Sequence, residues 1–379
     1  MSLPDPPADA LQASLALQSR IRQAIAADDG WISFSRYMDL SLYTPGLGYY
    51  AGGAVKLGKD GDFTTAPEIS ALFGATLARF ASDLFGSAPF NILEFGAGTG
   101  KLAGDLLSAA ADSGRKIASY QIVEVSSELR ARQQQALANY PQIEWLDAPP
   151  AAFTGLVIAN EVLDAMPVPL LVRRDGRWLE RGVALNGSDF RFVDRECEQG
   201  MAGQIPGEPS LPEGYLTEVH PQQVGFMGLL GEMLRSGNGG AALMIDYGFP
   251  ASEYYLPQRS GGTLMCHYRH RAHADPFYLP GLQDITTHID FSAIARAGLD
   301  AGLEVGFYMS QAAFLIGAGL PDLLDRQGAE DPLHWLPLSN AVQKLTSPAE
   351  MGELFKAVLL VDRIEVPAYL QRLDQSYRL

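Results

Sequence analysis

The chain has 379 residues, with 28 lysines and arginines against 44 aspartates and glutamates, so its formal charge at pH 7 is −16. This acidity argues against a nucleic-acid-binding protein, because neutralising phosphates requires clustered positive charge. Apolar residues make up 47% of the chain and charged residues 19%, which is typical of a globular protein with a large core. Membrane insertion is not expected, because no stretch approaches about 18 uninterrupted apolar residues.

The cysteines and the first residues indicate a location. Cys197 and Cys266 are the only cysteines, which is too few for a disulfide framework and fits a reducing compartment. The N-terminus carries Asp5 and Asp9 and no arginine before Arg20, so it resembles neither a signal peptide nor a transit peptide. We therefore expect a cytoplasmic protein.

Two helices are predicted near the N-terminus. Leucines and isoleucines in residues 9–27 follow helical spacing. A second helix is predicted from Phe34 to Leu42, with Ser33 as its N-cap. The aromatic and glycine-rich residues 43–50 then end it.

A further helix is predicted after a glycine-rich loop that extends from Ala51 to Thr64. Thr65 and Glu68 are expected to form a capping box at its start, and its apolar face extends to about Leu84. Residues 1–88 are therefore expected to form an N-terminal helical segment.

Strands and helices alternate from Phe90 onward, which predicts βαβ units and an α/β fold with a parallel sheet. The predicted strands are residues 91–95, 120–125, 143–146 and 156–159, and the predicted helices are residues 102–111 and 127–139.

The second half of the chain adds elements to this core, which is expected to span residues 89–379. Insertions are predicted at about 166–235, 248–290 and 310–349, the first of them containing a hairpin around Asp175-Gly176. The remaining predicted elements are helices at 222–234 and 291–301 and strands at 241–246, 303–309 and 355–361, with 248–290 otherwise irregular.

A glycine turn follows the first core strand, with the sequence E-F-G-A-G-T-G at residues 94–100. Glycines there allow a ligand to approach the backbone, and the next helix offers free N–H groups. A dinucleotide fingerprint is disfavoured because position 101 is lysine and the third glycine comes one residue early. A phosphate-binding loop also fails, since no glycine stands five residues before Gly100. The alternative is a tight turn without a ligand.

An acidic residue two positions before G-x-G-x-G resembles the pattern of S-adenosylmethionine-dependent methyltransferases. That resemblance assigns the Glu94 carboxylate to the methionine end of the cofactor, and Gly96, Ala97, Gly98 and Gly100 to its backbone cradle.

Carboxylates also follow the next two strands. Glu124 ends the second strand, where it can accept hydrogen bonds from both ribose hydroxyls, and Asp147 follows the third strand, where adenine would lie. Each alone is more commonly a solvated carboxylate, but together they favour a nucleoside at this edge of the sheet.

Longer motifs resemble the MidA-like family, which comprises mitochondrial complex I assembly methyltransferases and their bacterial relatives. The match runs from about residue 32 to about residue 362. The motifs are Y-T-P-G-L-G-Y-Y at 43–50, G-D-F-T-T-A-P-E-I-S at 61–70, L-E-F-G-A-G-T-G at 93–100, A-N-E-V-L-D-A-M-P-V at 159–168, I-D-Y-G at 245–248, D-I-T-T-H-I-D-F at 284–291 and Q-A-A-F-L at 311–315.

The resemblance implies a Rossmann-like, seven-strand class I methyltransferase sheet with added N-terminal helices and inserted helical and hairpin elements. It implies S-adenosyl-L-methionine as cofactor and a loop before the core that covers it. For the mitochondrial member it implies symmetric dimethylation of an arginine in a complex I subunit, so a protein substrate is the expected partner.

Polar side chains leave the fourth strand where the methyl group should project. An acceptor guanidinium has no free lone pair and a pKa above about 12, so its plane must be fixed and a proton withdrawn. We hypothesise that Glu161 anchors this group, that Asn160 orients it or contacts the cofactor, and that Asp164 supports these residues or shares the anchoring. Alternatively, Asn160 or Asp164 caps the turn before Pro167.

Other candidates have both a functional and a structural interpretation. Thr65 and Glu68 could contact the cofactor in addition to capping a helix, and His288 could reach the acceptor pocket while Asp290 caps the following helix. A zinc site is weakly suggested by the histidines at positions 267, 270 and 273. Methyl transfer needs no metal, so none is predicted.

Competing functions remain open from the sequence. The acceptor could be a small molecule or another side chain, or the protein could be a non-catalytic assembly factor that binds the cofactor. An NAD-dependent oxidoreductase is disfavoured by the glycine spacing.

Overall fold

A computed structural model describes residues 3–52, 65–207, 210–328 and 331–379. The helices are α1 (Ala8–Ala27), α2 (Phe34–Tyr43), α3 (Ala66–Ile69), α4 (Ala71–Phe85), α5 (Lys101–Asp112), α6 (Ser127–Ala136), α7 (Pro221–Ser236), α8 (Ala251–Tyr254), α9 (Phe291–Asp300), α10 (Gln311–Gly317), α11 (Leu320–Asp325), α12 (Pro332–Thr346), α13 (Met351–Leu354) and α14 (Ala368–Gln371). None of these described helices has the length and apolar composition of a membrane-spanning helix.

The strands are mostly short. They are β1 (Trp31–Ser33), β2 (Phe90–Phe95), β3 (Ile117–Val123), β4 (Ile143–Leu146), β5 (Gly155–Asn160), β6 (Leu170–Arg174), β7 (Arg177–Asn186), β8 (Asp189–Glu196), β9 (Leu216–Glu218), β10 (Gly240–Phe249), β11 (Met265–Tyr268), β12 (Arg271–His273), β13 (Asp284–Thr286), β14 (Ile289–Asp290), β15 (Glu304–Ser310) and β16 (Phe355–Asp362).

The chain divides into two compact units by its internal contacts. One unit comprises Met1–Phe63, Asp164–Val224 and Phe249–Ala293, and the other comprises Thr64–Leu163, Gly225–Gly248 and Ile294–Leu379. We call the first the antiparallel unit and the second the sheet unit. The predicted boundary at residue 88 differs from this division, because α4 packs against α5, shares the core of the sheet and so belongs to the sheet unit.

The sheet unit contains, among its described residues, a continuous path of seven strands in the order β15-β16-β10-β5-β2-β3-β4. Five strands, from β10 to β4, pair in parallel, and β16 is antiparallel to both of its neighbours. This confirms the predicted α/β fold with a Rossmann-like seven-strand sheet. The chain adds β3 and β4 on one side of β2 and then returns to place β5 on the other, and such a switch point is where open α/β sheets bind ligands.

The central strands are apolar almost throughout, as expected for parallel strands that helices cover on both faces. Every residue of β5 except Asn160 is buried, and so is every residue of β2 except Asn91. Phe73, Leu77 and Phe80 of α4 belong to the same buried cluster as these strands.

Helix starts in both units test the predicted caps. Ser33 caps α2, with its side chain accepting a hydrogen bond from the Arg36 N–H. The expected capping box at Thr65 is wrong, because the Thr65 side chain makes no capping bond and α3 is only four residues long. Ser70 is extended there, interrupts the helix and caps α4 through the Leu72 N–H.

The antiparallel unit is built on a sheet with the strand order β1-β7-β6-β9, and β8 pairs with β7. The predicted hairpin is confirmed as β6–β7, with Asp175 and Gly176 at φ 50° and 71° in its two-residue turn. The stretch 248–290 is less irregular than expected, because β11, β12 and β13 form a small sheet. These strands have three or four residues, too few for an alternating pattern to be visible in the sequence.

Candidate functional site

The glycine turn joins β2 to α5 at the carboxyl edge of the sheet. Gly96, Gly98 and Gly100 have φ values of 63°, 55° and 84°, a region that disfavours other residues. A Cβ at Gly96 would lie 3.1 Å from Val162 Cγ2, and one at Gly100 would lie 3.0 Å from Leu137 Cδ1. Buried Ala97 lies within the turn. The turn therefore needs glycine for its conformation and for its close packing.

Glu94 lies in β2, just before this turn, and is 3% exposed. Its carboxylate accepts a hydrogen bond of 2.7 Å from the Tyr120 hydroxyl of β3. Burial raises the pKa of Glu94 to about 7, the charge of Glu124 adds to this effect, and the Tyr120 bond opposes it. Glu94 is therefore a carboxylate whose charge a cationic ligand would stabilise.

Glu124 directly follows β3, and both of its oxygens accept hydrogen bonds. The Ser126 N–H donates to one oxygen and the Gln133 side-chain amide donates to the other, each at 2.9 Å. Burial raises the pKa of Glu124, and these bonds lower it. The Gln133 amide also donates to the Gly98 carbonyl at 2.9 Å, so it connects the carboxylate to the glycine turn.

Asp147, predicted at the adenine edge, is exposed. Its side chain retains 91% of its accessible surface and forms an ion pair with Arg130 of α6. Arg130 also donates to the Trp145 carbonyl at 3.0 Å. The structure therefore places Asp147 after β4 as expected, but on the solvent side of an ion pair.

Asn160 and Glu161 lie together at the end of β5. Glu161 Oε1 accepts hydrogen bonds of 3.2 Å from the Ala66 N–H and from the Asn160 side-chain amide. The Glu161 backbone has φ 53°, a left-handed conformation that is unfavourable for a residue with a Cβ, and its N–H donates to the Ile245 carbonyl at 2.9 Å. The neighbouring strand thus holds a strained residue at the edge of the sheet, as is common at functional sites.

A buried aspartate holds the residues that follow β5. Asp246 of β10 is fully buried, and its carboxylate accepts hydrogen bonds from the Leu163 N–H at 3.0 Å and the Tyr247 N–H at 2.8 Å. Asp246 lies within the family motif at residues 245–248 but is not among the predicted site residues. Like Glu124, it stands at the end of a predicted strand, and this position could have identified it as a site residue.

Thr65 and Glu68 lie at α3, close to the glycine turn. Glu68 Oε1 accepts a hydrogen bond of 2.5 Å from the Thr99 hydroxyl. The Thr99 hydroxyl also accepts from the Lys101 N–H at 3.3 Å. Glu68 is thus tied to the start of α5, a contact that the capping interpretation did not include, while a direct cofactor contact of either residue stays a prediction.

The other two predicted catalytic residues belong to the antiparallel unit. Asp164 is buried, its carbonyl accepts from the Thr287 N–H at 3.1 Å, and its charge helps to raise the pKa of Tyr50. Burial and the charge of Arg259 lower the pKa of His288 to about 4. The ring of His288 is therefore neutral at pH 7.

Two further expectations concern the same unit. Asp290 is confirmed as the cap of α9, because its carboxylate accepts from the Ser292 and Ala293 N–H groups. Among the residues that the structure describes, no group of three histidine, cysteine, aspartate or glutamate side chains is placed to hold a metal ion.

The residues at the carboxyl edge of the sheet fit a ligand with a positive charge and a ribose. Glu94 at the end of β2 is buried, and Glu124 after β3 is partly buried. The turn between β2 and α5 has no side chains at its three glycines, and the first N–H groups of α5 lie beside it. Carboxylates accept hydrogen bonds from ammonium and hydroxyl groups. These carboxylates and N–H groups therefore suit a nucleoside that carries an amino acid.

Comparison with known proteins identifies the family. A family model of S-adenosyl-L-methionine-dependent methyltransferases matches residues 73–309. The mitochondrial protein arginine methyltransferase NDUFAF7 of Mus musculus is 30% identical over 365 residues, covering 86% of this chain and 80% of that protein. Its Drosophila melanogaster homolog is 28% identical over 393 residues, covering 90% and 84%.

A solved structure is more similar. A crystal structure of a Burkholderia thailandensis protein bound to S-adenosyl-homocysteine is 48% identical, has a TM-score of 0.94 and covers the whole of both chains. The chain therefore belongs to the MidA-like family of S-adenosyl-L-methionine-dependent methyltransferases, and its cofactor is S-adenosyl-L-methionine.

Proposed function

We propose that this methyltransferase acts on an arginine side chain of a protein, specifically of a respiratory complex I subunit. The observation that carries the proposal is the strained, hydrogen-bonded carboxylate of Glu161 at the end of β5. The relatives named as protein arginine methyltransferases support the acceptor class, and the resemblance of the sequence motifs to complex I assembly methyltransferases supports the client.

The cofactor would be held by residues of the sheet unit. Glu94 and the glycine turn would bind its methionine end, Glu124 its ribose hydroxyls, and Asp147 would lie near its adenine. S-adenosyl-L-methionine supplies an electrophilic methyl group on a sulfonium. The chain's task is then to hold an acceptor on the axis behind that methyl, and well-oriented reactants can reach effective molarities of about 10⁵–10⁸ M.

An arginine acceptor sets requirements that Glu161 meets. A guanidinium is planar and stays protonated at neutral pH, so its plane must be fixed and a proton must leave as the new bond forms. A carboxylate can accept two parallel N–H bonds from it and take up proton density. The Ala66 N–H and the Asn160 amide fix the Glu161 carboxylate, so its orientation is set before an acceptor arrives.

Roles for the remaining predicted residues stay predictions. We propose Asn160 as the group that orients Glu161, because its amide donates to that carboxylate. The neutral ring of His288 could donate or accept a hydrogen bond, but with a pKa of about 4 it is a weak proton acceptor. The contributions of Asp164, Thr65 and Glu68, and the cytoplasmic location, likewise stay predictions.

Mass spectrometry of complex I subunits from cells with and without the gene tests the proposal. We expect a methylated arginine that disappears with the gene. A peptide spanning that arginine should then accept a methyl group from the purified enzyme, and the same peptide with lysine in its place should not. If no arginine mark changes, the arginine proposal is wrong, and a small-molecule acceptor or a non-catalytic assembly role replaces it.

The matched enzyme variant is Glu161→Gln. It keeps the size of the side chain and removes its charge, so S-adenosyl-homocysteine affinity should stay close to wild type while transfer to the peptide is abolished. Retained turnover would refute the assignment of Glu161.

A further inference from the structure

We propose that Gln133 is a positioning residue for cofactor binding, which couples the glycine turn to the carboxylate of Glu124. The inference rests on the proposed contact of Glu124 with the ribose. Gln133 lies on α6, so it comes from an element other than the strand ends and the glycine turn.

The side chain of Gln133 is fully buried, and its amide makes three hydrogen bonds to three different segments. Nε2 donates to the Gly98 carbonyl and to Glu124 Oε2, both at 2.9 Å. Oε1 accepts from the Trp145 indole N–H at 3.1 Å. One buried amide thus joins the glycine turn, the end of β3 and the strand β4.

Trp145 determines which way the amide of Gln133 faces. An indole N–H can only donate, so the amide oxygen must point to it. The NH₂ group then points to a carbonyl and a carboxylate, which are both acceptors. A flipped amide would place two donors together and its oxygen against the Glu124 carboxylate, so this chain of bonds permits one orientation.

That orientation fixes Glu124 before a ligand binds. The amide of Gln133 holds one carboxylate oxygen of Glu124 and the Ser126 N–H holds the other. A carboxylate held in one rotamer loses little side-chain entropy on binding a ribose, and lowering that cost increases affinity. The same amide holds the carbonyl of Gly98, so the parts of the site assigned to the ribose and to the methionine end are fixed together.

The chain offers a matched control, because Gln133 is the first of three consecutive glutamines. Gln134 and Gln135 are on the same helix but are exposed. Gln133→Met removes the amide and keeps a side chain of similar length, and Gln135→Met makes the same chemical change at the surface.

Calorimetric titration of the full-length protein with S-adenosyl-homocysteine tests the inference. We expect Gln133→Met to weaken binding about 10- to 100-fold, the range for losing a hydrogen bond to a charged group. Gln135→Met should stay within about twofold of wild type, as is usual for surface substitutions. Trp145→Phe, which removes only the indole N–H, should weaken binding about threefold to tenfold, the range for losing a neutral hydrogen bond.

A double-mutant cycle separates positioning from a general loss of stability. In a Glu124→Ala background, Gln133→Met should weaken binding further by less than about threefold, because the carboxylate it orients is gone. An equal effect of Gln133→Met in both backgrounds would overturn the inference. Should Gln133→Met fail to fold, Trp145→Phe takes its place in the cycle, with the same two outcomes.

The cycle also distinguishes the role of Gln133 from the proposed contact of Glu124 with the ribose, on which it rests. Wild-type affinity in Glu124→Ala would refute the ribose contact itself. Weak binding by Glu124→Ala together with wild-type affinity in Gln133→Met and Trp145→Phe would leave that contact in place and overturn the role of Gln133 alone.

Discussion

The Tyr120 hydroxyl donates a hydrogen bond of 2.7 Å to the Glu94 carboxylate, and both side chains are buried. Burial raises the pKa of Glu94 to about 7, while this bond works in the opposite direction. The unliganded site therefore changes its charge near neutral pH. Two consequences can be measured, one on cofactor binding and one on stability.

Cofactor affinity should increase with pH up to about pH 7. The family resemblance assigns Glu94 to the methionine end, whose ammonium group binds an ionised carboxylate better than a protonated one. Below the pKa of about 7, affinity for S-adenosyl-homocysteine should fall by up to about tenfold per pH unit. Calorimetric titration between pH 5.5 and 8.5 measures this profile.

Two variants act as controls for that profile. Glu94→Gln should bind weakly and lose the pH dependence, since it has no carboxylate to titrate. Tyr120→Phe removes the bond that lowers the pKa of Glu94, so its affinity profile should move to higher pH. A wild-type profile that is flat across neutral pH would contradict the assignment of Glu94.

The unliganded protein should lose stability as the pH rises from 4.5 to about 7. The folded-state pKa of Glu94 is raised, so the folded state binds the proton more tightly than the unfolded state does. The contribution of protonated Glu94 to stability is therefore complete below pH 4.5 and is lost as the pH rises through the folded-state pKa of about 7. A rise in pKa from 4.5 to about 7 corresponds to a decrease in the free energy of unfolding on the order of 3 kcal/mol over this pH range.

Urea unfolding of wild type and Glu94→Gln at pH 5 and pH 8 checks this expectation. The neutral variant should lose less stability between the two pH values than wild type does. Equal losses would mean that Glu94 ionises in the folded protein as it does in the unfolded chain.

The sheet could be predicted because its central strands β2, β5, β10 and β16 are buried on both faces and are therefore short apolar runs in the sequence. The glycine turn and Glu124 could be predicted because they follow those strands. Gln133 could not, since three adjacent glutamines are identical in the sequence and burial alone distinguishes the first. Its role depends on contacts with residues 9, 12 and 35 positions away.

Local capping chemistry was a weaker guide. Thr65 and Ser70 are both residues that favour N-caps, and only the extended backbone of Ser70 decides that the longer helix begins after it. Similarly, Asn160, Glu161 and Asp164 lie within five residues of the sequence, but Asp164 belongs to the other unit of the chain. Proximity in the sequence therefore does not predict where the boundary between the two units lies.

The carboxylates Glu124 and Asp147 should differ strongly in their contribution to cofactor binding. Glu124→Gln changes a partly buried carboxylate held by two hydrogen bonds, and it should weaken S-adenosyl-homocysteine binding about 10- to 100-fold. Asp147→Asn changes a carboxylate that is 91% exposed and paired with Arg130, so the loss should be less than about fivefold. Titrations of both variants under one set of conditions compare them, and an equal loss would contradict the difference in burial as its cause.

The backbone of Glu161 is strained. Its φ of 53° is unfavourable for any residue with a Cβ. Glu161→Gly and Glu161→Ala both remove the carboxylate, so both should be inactive. The glycine variant should nevertheless be more stable than the alanine variant by about 1 kcal/mol, because it adopts the left-handed conformation without steric cost.

Denaturant unfolding of the two variants measures this difference directly. Glu144 of β4 gives the matched comparison, because it lies in an ordinary strand. At that position, the Glu144→Gly variant should be less stable than the Glu144→Ala variant, since glycine loses more backbone freedom on folding. A reversal of sign between the two positions would show that the protein holds Glu161 in a conformation that its sequence alone disfavours, and the same sign at both would remove strain from the account of this site.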